Sequence, residues 1–314
     1  MRLTLSYIIF LLFFSSIQAQ YSPTDADSIL AYRTILDSPK SYPIDDVFNA
    51  YVDLAEVHFG YNSADAFARI DSAEKLLKKT NRMDLFPRIN SARGSFYASQ
   101  GQFLKALQEY QYGIFTYSEK GEDDIHIAYL HVSIGNIFYK LGQYRDARRF
   151  YVKANEIFTT IGGNKGHEGE AVATNNNGLC HLRLGEANLA LRDFKKAMEI
   201  RRELNKNYLV THSYTHLMDV YLKTSQLQRA DSLVVFSKTD AAIDTTSIWY
   251  KHFQMQKVLL NIKQNRLTEA SIGLKAFNRL DFGSDFEFFK PYILQVRAEL
   301  EISQKKYPRW IRCQ

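Results

Sequence analysis

From residue 44 onward, apolar residues recur three and four positions apart, and short polar stretches interrupt them at regular intervals. That spacing lines one face of a helix, and the interruptions carry the glycine and asparagine of tight turns. Segments such as KLGQY (140–144) and RLGEA (183–187) therefore join one helix to the next, and the chain reads as a succession of helical hairpins. Upstream, TDADSILAYRTILD predicts a short helix with Thr24 or Asp25 as its N-cap. SPKSYP then separates residues 20–43 from the hairpins that fill 44–314.

The hairpins repeat one another. Gly135 is followed by Ala147, Tyr151 and Ala154; Gly178 by Ala190, Phe194 and Ala197; Gly94 by Ala106, Tyr110 and Gly113. Weaker copies run Leu54, Ala66, Ile70, Ala73, then Met218, Ala230, Val234, Ser237, then Val258, Ala270, Leu274, Phe277. The anchors fall at Leu54, Gly94, Gly135, Gly178, Met218, Val258 and Ala298, a step of 40 to 43 residues. A small residue at a helix crossing lets two backbones approach, and the bulky residue four positions after the alanine fills the space beside it. One hairpin cannot bury its own apolar face, so stacked neighbours supply the core. The same register turns NNNG at 175–178, by composition a turn, into the end of a helix with Gly178 as its crossing contact.

This series resembles the tetratricopeptide repeat family, with an aromatic residue three positions past the anchor in Tyr97, Phe138 and Tyr221. The resemblance runs from about Val47 to the C-terminus and is strongest from Pro87 to Glu203. It implies an all-α fold, a right-handed α-α superhelix of six to seven hairpins whose first helices line a concave surface. The step exceeds the family's usual 34 residues by about a turn and a half of helix. Long repeats of this kind are similar to the exported sensor portions of bacterial receptors and to the peptide-binding repeats of bacterial signalling regulators.

Members that clamp a peptide's C-terminal carboxylate use a Lys and an Asn, then an Asn, then a Lys and an Arg on three successive first helices. By register those positions hold Val132 and Asn136, then Asn176, then His212 and His216. The asparagines match and the cations do not. The resemblance thus implies a polar peptide groove at Asn136, Asn175, Asn176, His212 and His216, flanked by Tyr129, Tyr139 and Lys140. An amide side chain both donates and accepts, which suits an extended peptide backbone. The competing reading is that these asparagines bond to neighbouring helices, Asn177 above all.

Composition narrows the class further. The 314 residues are 46% hydrophobic, ample for a core, and 20 tyrosines and 21 phenylalanines suit the seams between short helices. Six prolines and fifteen glycines argue against long disordered stretches. The net charge of +6 is spread along the chain, whereas a nucleic-acid reader concentrates Lys and Arg on one face or arm; no nucleic-acid partner is expected. Residues 1–19 read as a signal peptide: Arg2, the apolar run Leu3–Phe14 and a small-residue exit at Ile17-Gln18-Ala19 that leaves Gln20 first. That run falls short of the ~20 residues a membrane span needs; an uncleaved anchor is the alternative. The mature chain is expected to be exported, without a membrane span.

A search for catalytic chemistry returns little. His-Glu-x-x-His, Cys-x-x-Cys, Gly-x-Ser-x-Gly and Gly-x-Gly-x-x-Gly are all absent. His212 and His216 sit one turn apart without an evident third metal ligand. TIGGNKGHEGE (160–170) lacks the Lys-Ser/Thr ending of a phosphate loop and reads as a mobile inter-repeat loop. Cys180 reads as a small buried residue, with Cys313 far from it. Pro291–Lys305 supplies the first helix of a seventh unit, and KKYPRWIRCQ, with Trp310 where alanine is expected, begins an incomplete second. The expectation is a non-catalytic repeat protein without a cofactor or metal that binds a peptide or protein segment. The alternative is a scaffold docking through its incomplete C-terminal repeat; an enzyme or metal protein is the distant third.

Overall fold

A computed structural model describes residues 26–59, 63–118, 125–279 and 286–306. The signal segment, the cap residues Thr24 and Asp25, and the C-terminal stretch with Trp310 and Cys313 lie outside the described residues. Among the described residues, fourteen α-helices follow in order: α1 (Ala26–Asp37), α2 (Ile44–His58), α3 (Ser63–Thr80), α4 (Phe86–Ser99), α5 (Phe103–Ser118), α6 (Ile125–Lys140), α7 (Tyr144–Ile161), α8 (Gly163–Arg183), α9 (Ala187–Glu203), α10 (Asn207–Lys223), α11 (Leu227–Ser237), α12 (Ile248–Lys263), α13 (Leu267–Phe277) and α14 (Phe286–Lys306). SPKSYP contributes a single 3-10 turn, Pro39–Ser41. From α2 to α13 the helices pair as six hairpins. The described residues divide into two compact units, one ending at Ala173 and one starting at Thr174, within α8.

In the first unit the repeat pattern becomes packing. Ala147, Tyr151, Ala154 and Phe158 form one fully buried stripe along α7. A Cβ added to Gly135 would stand 2.6 Å from the Tyr151 ring, and one on Gly94 would stand 2.3 Å from the Tyr110 ring. Each glycine exists to let a ring lie on bare backbone. The turn after α6 ends on Gly142 at φ 77°. Gln143 N–H then reaches back to Phe138 O at 2.9 Å, the bond that closes a left-handed helix end. Gly101, Gly185, Ser225 and Asn265 hold the same left-handed position in the other described hairpin turns.

The stretch 160–170 departs from expectation. It is not a loop: α7 runs to Ile161, Gly162 turns the chain at φ 62°, and α8 begins at Gly163. The inner glycines are there for contact rather than flexibility. A Cβ on Gly166 would meet Phe158 O at 2.6 Å, and one on Gly169 would meet the Phe158 ring at 2.2 Å. Glycine-rich composition here marks a helix pressed against its predecessor.

In the second unit, Phe194 covers Gly178 as Tyr151 covers Gly135, with the added Cβ 2.8 Å from its ring. Asn177 of α8 donates to Asp193 of α9 at 2.6 Å, which makes it a packing residue. The register fails at the last anchor. Ala298 is exposed, and α14 instead buries Phe289, Ile293, Val296 and Leu300 against α12 and α13. Phe289 starts the four-three-four stripe of this helix, which moves its packing face two residues away from the 40-residue step.

The segment between α11 and α12 is held by Asp240. Its carboxylate, 5% exposed, accepts from Arg202 (Nη1 to Oδ1, 2.9 Å), from the Tyr214 hydroxyl and from Ala242 N–H at 3.0 Å. The Arg202 bond is the main reason its pKa falls to about 2. The bonds favour the charged form, so their stabilisation is full above the ordinary carboxylate pKa and is lost as pH falls toward 2. Asp240→Asn is expected to lower unfolding stability by about 2 kcal/mol at pH 7 and to have little effect near pH 2, measured by urea titration at both.

Candidate functional site

The candidate site lies wholly in the second unit, at the junction of α8, α9, α10 and α12. Its centre is Arg201, in the last turn of α9. Along α9 the buried stripe runs Ala190, Phe194, Ala197, Arg201, with the spacing that puts Ala147, Tyr151, Ala154 and Phe158 inside the first unit. Arg201 therefore occupies a position that an aromatic ring fills one repeat earlier, and it is only 3% exposed.

A buried guanidinium demands partners. Arg201 Nη1 donates to Ser213 Oγ at 2.9 Å, to Asn175 Oδ1 at 3.3 Å and to Leu209 O at 3.4 Å. All three acceptors are neutral. Its Nε is shielded from solvent and has no partner, and no carboxylate among the described residues pairs with it. Burial brings its pKa down to about 10, opposed only by the nearby Tyr208 phenol.

Beside it runs a stack of rings. Phe194 stacks on His216 at 4.8 Å between centroids, His216 meets His212 at 4.3 Å, and His212 stacks on Trp249 at 3.7 Å. His252, one turn past Trp249 on α12, is buried and touches the Tyr292 ring edge-on at 5.5 Å. Both ring nitrogens of His216 are shielded from solvent without a hydrogen-bond partner. Burial first, then repulsion from Arg201 and His252, lowers the His216 pKa to about 3. Burial and the same neighbours, with His216 itself, hold His212 well below its ordinary value. The rings are thus neutral at pH 7, and Arg201 is the permanent charge.

The sequence candidates divide between the two units. Asn175 and Asn176 join this cluster: both are buried, with Asn175 Nδ2 donating to Asn176 Oδ1 at 3.4 Å. In the first unit, Asn136 is buried and accepts the Tyr151 hydroxyl at 2.8 Å. Tyr129 packs edge-on against Phe158 at 4.9 Å and Tyr139 against Tyr144 at 5.1 Å. Lys140 lies 6.0 Å from the Phe103 ring centroid, its pKa lowered by burial. Sequence reasoning passed over Arg201, Ser213, Trp249 and His252. Arg201 had a legible signal, a charge at an apolar position of the stripe.

Residues 126–203 match the tetratricopeptide repeat family. These residues are tetratricopeptide repeats. Among solved structures, BtubC (BKLC) from P. vanneervenii is similar at 20% identity and TM-score 0.54, over 68% of this chain and 86% of that one. A Rap protein complexed with competence and sporulation factor is similar at 15% identity and TM-score 0.58, over 87% and 80%. A signal transduction ATPase with a tetratricopeptide repeat sensor from Pyrococcus horikoshii is similar at 13% identity and TM-score 0.60, over 81% of this chain and 39% of that one. A search of curated proteins gives no match.

Tetratricopeptide repeats are an all-α helical solenoid fold that generally serves as a non-catalytic scaffold for protein interaction, and a protein or peptide partner follows from that class. Among the described residues, no group of three or more His, Cys, Asp or Glu is placed to hold a metal ion. Among the same residues, no helix is long and apolar enough to cross a membrane.

Proposed function

We propose that this chain is an exported, non-catalytic tetratricopeptide repeat protein that binds a peptide segment, and that its second unit supplies the contact. The observation that carries this reading is the polar cluster of Arg201, Asn175, Asn176, Ser213 and His212, built where the first unit packs an aromatic ring. Burying such a group costs fold stability, and its presence despite that cost supports a functional reason for it. The Rap protein structure that holds competence and sporulation factor, and the repeat sensor of the signal transduction ATPase, have the same fold. They support a sensor role here, in which an occupied repeat alters a partner. Export rests on residues 1–19, whose pattern is that of a cleaved signal peptide.

The test is selection of peptides from a displayed library on the immobilised full chain, followed by calorimetry. A saturable binder in the micromolar range, weakened at least tenfold by Asn176→Ala with the melting temperature kept, is the expected result. A library that yields no saturable binder would remove the peptide reading. For export, N-terminal sequencing of the secreted or periplasmic chain should start at Gln20, and an intact N-terminus would show that the segment is retained.

A further inference from the structure

We propose that the buried Arg201 guanidinium is a carboxylate-binding group, paired in the bound state with an anionic group of the ligand. The inference rests on the peptide-binding reading above and names the chemistry of one subsite. Arg201 is a cation at an apolar stripe position, filled by Phe158 one repeat earlier, and its hydrogen bonds go to a hydroxyl, an amide and a backbone carbonyl, none of which carries charge. A buried charge of this kind is ordinarily paired. The Nε edge of the guanidinium is the unused donor, and a planar carboxylate is the group whose two oxygens match a guanidinium edge.

The surroundings fit a single negative charge. His212, His216 and His252 stay neutral beside Arg201 and leave it the one cation of the cluster, and Asn175 and Ser213 fix the guanidinium in place. Tyr208, half-buried at the start of α10, lies close enough to Arg201 for its phenol to feel the cation. A phosphate dianion would leave an excess negative charge beside one guanidinium. This subsite differs from the carboxylate clamp implied by register, because its cation comes from a second helix, α9.

The experiment uses the full chain with Trp310→Phe, which leaves Trp249, stacked on His212, as the only tryptophan. Trp249 fluorescence and the melting temperature are followed during titration with acetate, with inorganic phosphate, and with a mixture of acetylated random pentapeptides bearing a free C-terminal carboxylate. The amidated mixture, with and without an internal glutamate, separates a C-terminal carboxylate from a side-chain one. Acetate and at least one carboxylate-bearing mixture are expected to saturate, with affinity falling at least tenfold in Arg201→Met and partly retained in Arg201→Lys. Circular dichroism confirms that the Arg201→Met chain is folded, and Arg201→Gln serves as a second neutral variant.

Saturation by phosphate but not acetate, or equal acetate affinity in folded Arg201→Met, overturns the proposal. Peptides that bind equally in free and amidated glutamate-free form, with no effect of Arg201→Met, overturn it while leaving the peptide reading standing. Acetate binding abolished by Arg201→Met, with no peptide bound, supports the site and removes the peptide reading.

Discussion

A chain carrying Gly135→Leu is expected to lose more than 3 kcal/mol of stability, enough to unfold its repeat at physiological temperature. The reason lies in the crossing of α6 and α7. A Cβ at residue 135 would stand 2.6 Å from Tyr151 Cε1 and 2.9 Å from Cδ1. The ring has no room to retreat, because Tyr151 is fully buried and its hydroxyl is tied to Asn136. Gly135→Ala sets two effects against each other. Overpacking costs about 1–3 kcal/mol, and the better helix propensity of alanine returns about 1 kcal/mol, so a net loss of about 1 kcal/mol is expected. The decisive measurement is a double-mutant cycle by urea unfolding. Tyr151→Ala opens a cavity at a cost of about 3–5 kcal/mol, and in that background Gly135→Ala should become neutral or stabilising. Additive losses would show that the contact does not hold the crossing together.

The second large effect is acid destabilisation centred on the ring stack of the second unit. His216 holds a pKa of about 3 in the fold, against 6.5 unfolded. The unfolded chain therefore takes up a proton that the folded chain refuses, and stability falls as pH drops below about 6.5 until it nears 3. At pH 5 this histidine alone removes about 2 kcal/mol relative to pH 7.5; His212 and His252 act in the same direction. His216→Phe keeps the stack on Phe194 and removes two unpartnered nitrogens, so it should gain about 1 kcal/mol at pH 7.5. Its gain over the parent should widen to about 3 kcal/mol at pH 5. Urea titrations at the two pH values decide it: parallel pH slopes for parent and variant would rule the histidine out as the source.

Much of this fold is written in short-range terms. The Gly-Ala-ring series at 135, 147 and 151 encodes a crossing, and KLGQY encodes the turn beside it, because each needs only neighbours on two adjacent helices. Composition misled at 160–170, where glycines that read as a mobile loop instead admit the Phe158 ring. The last anchor misled for a related reason: Ala298 fits the step, but Phe289 sets the stripe. The site was legible in part. The register located the asparagines and His212, yet Arg201, which donates to Asn175, lies 26 residues from it, and only a reading of polar intrusions into apolar stripes would have singled it out. Trp249 and His252 come from a further hairpin, and no local pattern links them to His212.

The left-handed turn position is not filled alike in all the hairpins. Three hairpin turns fill that position with glycine, at 101, 142 and 185, while Ser225 and Asn265 fill it in the last two. A side chain in that conformation costs about 1 kcal/mol, with asparagine the better tolerated. In a stack whose stability is a sum of units and the seams between them, the hairpins from α10 onward start with a handicap that the three hairpins turned by glycine lack. Fraying of the helical array is therefore biased toward its C-terminal hairpins.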